Sequence, residues 1–176
     1  FYADGFPAAA SATLRPPDAT VEDYRLLQKR IGTSRTVIVT PSTYGTDNRP
    51  SLEAAAILGP SARVVAVVDD PVTDAELKRL ATLGVRGIRF FMLAGAPLPI
   101  ELMEPMAARV APFGWTVNFQ TDGRMLGDFE ALLKRLPTTI TLDHVGTFPE
   151  PVWPHHQGFR PRPRPLDSGQ CGYKCE

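Results

Sequence analysis

The chain has 176 residues, 43% of them hydrophobic and 22% charged, with 19 basic and 19 acidic side chains and no formal net charge. That is enough for one domain with a real core but short for two. The charge balance argues against a nucleic-acid binder, which carries a basic excess, and no apolar run nears the roughly 18 residues of a membrane span.

The first residues, Phe1-Tyr2-Ala3-Asp4-Gly5-Phe6-Pro7, lack a basic n-region and an initiator methionine. They read as neither a signal peptide nor a natural beginning. Cys171 and Cys175 are too few for a disulfide framework, so the expectation is a cytoplasmic chain with reduced thiols.

Residues 1–19 are rich in alanine and proline and read as an extended lead-in. Thr20 is an N-cap with Asp23 as its capping-box partner. Val21, Tyr24, Leu27 and Ile31 then share one helical face that Gly32 ends. Arg35 to Thr40 is a β-branched strand, Pro41 to Asn48 a polar loop, and Pro50 to Leu58 a helix. The pattern repeats with a strand at Arg63 to Val68. The next helix is capped by Thr73 with Glu76 in the box position, buries Leu77, Leu80 and Ala81, and closes at Gly84. Further strands follow at Val85 to Phe91, Trp115 to Thr121 and Thr138 to Leu142, the last ending in Asp143-His144. The intervening helices are Ile100 to Val110, which Pro105 can break or start, and Gly127 to Leu136.

Strict alternation of strand and helix predicts an α/β fold with a parallel sheet of βαβ units. An open doubly wound sheet and a (β/α)8 barrel both fit. No glycine-rich phosphate loop of either familiar spacing occurs, so no nucleotide cofactor is expected. A barrel needs about 250 residues and eight strands, and the five strands here would make most of one. From Gln157 to Gly169 arginine alternates with proline, which removes backbone donors and forbids a helix. Residues 151–176 therefore read as an irregular tail, and His155 and His156 within it as solvated.

Ligands of parallel α/β sheets bind at the carboxyl ends of the strands. Those ends carry Ser42, then Asp69 and Asp70, Arg89, Asn118, Gln120 and Asp122, and finally Asp143 and His144. The Ser42 to Asn48 stretch alone reads as a turn and helix cap. Asp69-Asp70-Pro71 reads as a turn. Arg89 differs, because an arginine inside an apolar strand is costly to bury unless it meets an anion. His144 suits a general base or a metal ligand. The C-x-x-x-C spacing of Cys171 and Cys175 is weak evidence for zinc, and no metal site is assigned.

Together, PSTYGTDN (Pro41 to Asn48), GVRGIRF (Gly84 to Phe90), Gly114-Trp115 and LDHVG (Leu142 to Gly146) resemble the amidohydrolase-related, metal-independent lactonase branch. That branch contains 2-pyrone-4,6-dicarboxylate lactonase and D-galactarolactone isomerase. The resemblance runs from the lead-in to Gly146. It implies a TIM-type (β/α)8 barrel, here incomplete, holding about strands 2 to 6 over residues 20–150. LDSGQCGYKCE resembles the start of a seventh strand.

Residue by residue, the resemblance makes Ser42 a contact to a substrate carboxylate and Arg89 a strand-end holder of a carboxylate. His144 matches the strand-six histidine and is the candidate catalytic residue. Tyr44 and Gln120 complete the candidate substrate-binding set. Phe91, Gly95 and Thr147 depart from the polar residues of relatives. An upstream H-x-H and a last-strand aspartate, expected as general base, are absent from this sequence.

The implied function is hydrolysis of a small carboxylated lactone, a pyrone dicarboxylate or a sugar-acid lactone, by a chain inactive on its own because it is truncated at both ends. The expected partner is that small anionic substrate, with neither nucleic acid nor membrane. Two alternatives stand beside it: a non-catalytic carboxylate-binding or interaction domain, and a metal-dependent amidohydrolase or decarboxylase.

Overall fold

The structure, a computed structural model, describes residues 5–147 and the backbone of 171–173. The arginine–proline repeat, His155, His156 and Cys175 lie outside the described residues. Two compact units divide the chain, Phe1–Gly87 and Ile88–Glu176. Among the described residues, six strands, β1 (Thr36–Val39), β2 (Ala62–Ala66), β3 (Val85–Phe91), β4 (Thr116–Gln120), β5 (Ile140–Leu142) and β6 (Cys171–Tyr173), take the order β1-β2-β3-β4-β5-β6, and β3 is the strand in which one unit passes into the other.

In the first unit, α1 (Val21–Ile31) begins with a complete capping box. Thr20 accepts from the Asp23 N–H at 3.2 Å, and the Asp23 carboxylate accepts from the Thr20 N–H at 3.0 Å. Gly32, at φ 74°, ends the helix in the left-handed conformation that glycine adopts without penalty. The expected apolar stripe is not what seats this helix. Val21 is buried, yet Leu27 and Ile31 are exposed. Polar contacts hold it instead: the Thr36 hydroxyl donates to the Tyr24 phenol and accepts from Gln28, both at 3.1 Å, and Arg25 donates to the Ile57 carbonyl at 3.0 Å. Periodicity records which residues share a face and not which face is covered.

β1 (Thr36–Val39) pairs in parallel with β2 (Ala62–Ala66), Thr36 opposite Ala62 and Val39 opposite Val65. Between them runs α2 (Arg49–Leu58), whose Pro50 sits in the first turn, where its missing N–H costs nothing. The third helix, α3 (Asp74–Thr82), is capped by Thr73, which accepts from the Glu76 N–H at 3.1 Å. Here the box is one-sided, because the Glu76 carboxylate takes the Arg79 guanidinium at 2.7 and 2.8 Å. Leu77 and Leu80 are buried as expected, and Ala81 is half-buried.

In the second unit, α4 (Met103–Val110) buries Met103, Met106, Ala107 and Val110. Pro105 starts this helix and does not break it, since its missing donor falls in the first turn. β4 (Thr116–Gln120) pairs in parallel with β5 (Ile140–Leu142), and β5 with β6 (Cys171–Tyr173), Ile140 opposite Cys171. In place of the helix expected over Gly127 to Leu136 stand the end of a 3-10 run, Gly123–Phe129, and one α turn, α5 (Glu130–Leu133). Asp122 captures the Arg124 N–H at 2.9 Å and starts the coil early. Gly123 and Gly127 then weaken α-helix propagation, and Pro137 bars extension. Among the described residues, no helix is long and apolar enough to cross a membrane.

Candidate active site

Strand alternation sorts the second unit's residues onto two faces. On β4, Val117 and Phe119 alternate with Asn118 and Gln120, and all four are buried. Phe119 meets Phe129 edge-on, ring centroids 5.2 Å apart, on the apolar side shared with Ile88, Phe90, Ile140 and Leu142. The opposite face is polar. Asn118 Nδ2 donates to Asp143 Oδ1 at 2.8 Å and to Thr141 Oγ1 at 3.1 Å. Arg89 Nη2 donates to Gln120 Oε1 at 2.6 Å and faces Asp143 Oδ2 at 3.4 Å.

This face holds an ion pair away from water. Arg89 is 9% exposed and the Asp143 side chain 0% exposed. Burying such charges costs several kcal/mol per ion, which mutual attraction and hydrogen bonds must offset. Carboxylate and amide partners supply that here, and the Phe91 ring lies 5.2 Å from the Arg89 guanidinium carbon. The Asn118 amide orientation is fixed by charge, since the reverse would set its oxygen against the Asp143 carboxylate. Gln120 accepts from Arg89 through its oxygen, which leaves its Nε2 group as a donor.

His144 occupies a different setting from the strand end expected of it. The strand closes at Leu142, and the chain turns through left-handed residues His144 (φ 49°), Val145 (φ 54°) and Thr147 (φ 52°). Asp143 turns inward while His144 is exposed. The Thr147 N–H donates to the His144 carbonyl and the Gly123 N–H to the Thr147 carbonyl, both at 3.0 Å, which ties the turn to the start of the 3-10 run after β4. Consecutive non-glycine residues in this region cost about 1–2 kcal/mol each, and such outliers cluster where function fixes the backbone.

Ser42 and Tyr44 lie in the first unit, in a single 3-10 turn, Ser42–Tyr44, after β1. Tyr44 is buried and Ser42 half-buried. Gly45 follows at φ 57°, and a Cβ there would come within 3.2 Å of the Ala9 methyl, so both conformation and space call for glycine. The lead-in packs on this loop: Ala9 N–H donates to the Thr43 carbonyl at 2.8 Å, and Thr43 Oγ1 to the Leu14 carbonyl at 3.1 Å.

Asn48 does not cap α2, as a turn-and-cap reading expects. Its side chain donates to the Val67 carbonyl at 2.7 Å and accepts from the Val67 N–H at 2.8 Å. Asp47 takes over the helix start, accepting from the Arg49 N–H at 3.0 Å. Hydrogen bonds from the Arg49 guanidinium hold the Asp47 carboxyl below its ordinary value, against the opposing effect of partial burial.

Of the residues singled out from sequence, the fold brings Arg89 and Gln120 into contact and seats Ser42 and Tyr44 on one turn. Asn118 and Asp143 were legible as polar strand ends but not as members of the candidate set. Period two in TVNFQ is the signal that could have found Asn118. Among the described residues, no three His, Cys, Asp or Glu side chains come together to hold a metal ion. The groups around Asp143, a guanidinium and an amide donor, suit an anion rather than a cation.

The amidohydrolase family model matches residues 1–170. The chain belongs to the amidohydrolase family. Among curated relatives, this amidohydrolase is 36% identical over 144 residues to 2-pyrone-4,6-dicarboxylate hydrolase of Comamonas testosteroni, covering 80% of this chain and 47% of that protein. It is 29% identical over 149 residues to D-galactarolactone isomerase of Agrobacterium fabrum, covering 84% and 51%. The chain spans about half the length of the curated relatives it matches. An apo crystal structure from Agrobacterium tumefaciens superposes with a TM-score of 0.90 at 25% identity, over 98% of this chain and 64% of that one. The barrel-type α/β architecture expected from the sequence is thus the one this amidohydrolase has, in part.

Proposed function

We propose that this amidohydrolase belongs with enzymes that open, or rearrange, small carboxylated lactones, and that this chain binds such a lactone with Arg89 as the anchor for a substrate carboxylate. The observation that carries this reading is a guanidinium held nine-tenths buried on a polar strand face. Its bond to a neutral amide is 2.6 Å, whereas the carboxylate beside it stands at 3.4 Å. An arginine so placed offers a dry, charge-assisted and planar contact to an incoming carboxylate. Gln120, in the same unit, adds a donor beside it. His144, exposed on its left-handed turn, serves the lactone carbonyl as a proton donor or acceptor. Two curated relatives support the substrate class, one named for a pyrone dicarboxylate and one for a lactone.

The test is equilibrium binding of 2-pyrone-4,6-dicarboxylate and of its neutral diester, by the chain and by its R89M variant. The dicarboxylate should bind in preference to the diester, and R89M should lose about tenfold or more of that affinity. Equal binding by parent and variant would overturn the reading. Turnover is followed in parallel as loss of the pyrone ring absorbance. Anion binding without turnover is the outcome expected of this chain on its own and leaves carboxylate recognition standing, whereas turnover would overturn the expected inactivity.

A further inference from the structure

Asn118 has no place in the roles assigned above, yet it is 1% exposed and sits at the centre of the polar face. Its amino group is fully used, on Thr141 and on Asp143 Oδ1. Its carbonyl oxygen is buried without a hydrogen-bond partner. An orphaned buried acceptor costs stability, which offsets part of what the two donated bonds contribute. What it does hold is one particular oxygen of Asp143. With Oδ1 fixed at 2.8 Å by Asn118, the carboxylate presents Oδ2 to Arg89 at 3.4 Å, long for a charge-assisted bond. A carboxylate free to rotate about its last torsion would close on the guanidinium with shorter contacts, and could take it through both oxygens.

We propose that Asn118 is a positioning residue that holds Asp143 back from Arg89, and so sets how strongly Arg89 can bind a substrate carboxylate. The proposal rests on the carboxylate-anchoring reading of Arg89. Asn118 touches no substrate in this scheme; it acts through Asp143. Removing the amide lets Asp143 compete with the ligand for the guanidinium. Removing the Asp143 charge ends that competition, whether or not the amide remains.

Opposite signs and their combination make the test. Binding of 2-pyrone-4,6-dicarboxylate is measured for the chain and for N118A, D143N and the double variant. N118A should weaken binding by about tenfold, on the scale of one charge-assisted hydrogen bond, while affinity for the neutral diester stays unchanged. D143N should bind the dicarboxylate at least as tightly as the parent, and the double variant should match D143N. Additive losses in the double variant, or an unchanged N118A, would overturn the proposal. If D143N fails to fold, a crystal structure of N118A decides it. The Arg89 Nη2 to Asp143 Oδ2 separation should contract to about 3.0 Å or less, and an unmoved carboxylate refutes the scheme. Should R89M leave binding untouched, the anchoring reading itself fails; R89M sensitivity with an indifferent N118A sinks this inference alone.

Discussion

Asn48 bonds both backbone groups of Val67, its amide taking the place of a neighbouring strand: Nδ2 donates to the carbonyl at 2.7 Å and Oδ1 accepts the N–H at 2.8 Å. The same oxygen also accepts from Thr40 Oγ1 at 3.0 Å, and Thr40 in turn meets the Ser51 hydroxyl at 3.0 Å. One side chain therefore fastens the loop that carries Ser42 and Tyr44 to the ends of β1 and β2.

Replacing Asn48 with alanine strands the Val67 N–H and carbonyl in a partly buried setting. About 2–3 kcal/mol of stability should be lost, from two hydrogen bonds and the polar groups they satisfied. Denaturant unfolding of N48A measures it. Aspartate at this position keeps the acceptor but loses the donor, so N48D should fall between parent and N48A.

The core of the second unit yields a larger number. Phe119 is 1% exposed and stacks edge-on against Phe129. Truncation to alanine should cost about 3–5 kcal/mol, the range for a buried aromatic with its cavity. Unfolding curves read by a probe in the second unit give the value, and a loss under 1 kcal/mol would show that this face is not packed as described.

Relief of backbone strain should run the other way. Val145 is β-branched, exposed and left-handed at φ 54°, where glycine carries no penalty. V145G is expected to gain up to about 1 kcal/mol, net of glycine's greater freedom when unfolded. A destabilised V145G would mean that the valine makes contacts outweighing the strain.

Three arginine-paired carboxylates contribute to the acidic limb of the pH–stability profile. Asp47, Glu76 and Glu104 are each held below their ordinary values, in each case first by hydrogen bonds from an arginine: Arg49, Arg79 and Arg135. A carboxyl group with a depressed folded-state value contributes stability above its unfolded value and loses it as pH falls through the folded one. Stability should therefore be flat near neutrality and decline below about pH 4–5. The pairs are mostly exposed, so the effect is modest and shrinks with added salt. In D47N the melting temperature should depend less on pH over that interval, measured by thermal scans from neutral to acid.

The sequence by itself determined the order of elements and much of their punctuation. Thr20, Thr73 and Gly32 act within a turn of where they stand, so a linear reading finds them. Runs of β-branched residues marked the strands, and the spaced motifs around Ser42, Arg89 and His144 carried the family. Tertiary structure decided what those strand ends do. Gln120 lies 31 positions from Arg89, and Asp143 lies 25 from Asn118 and 54 from Arg89. Contacts at such separation depend on register between strands, which no local pattern specifies. The same holds for α1, whose apolar spacing is plain in sequence while its seating rests on Tyr24 and Gln28 reaching Thr36. Local chemistry wrote the segments; pairing of the strands chose which of their polar atoms would meet.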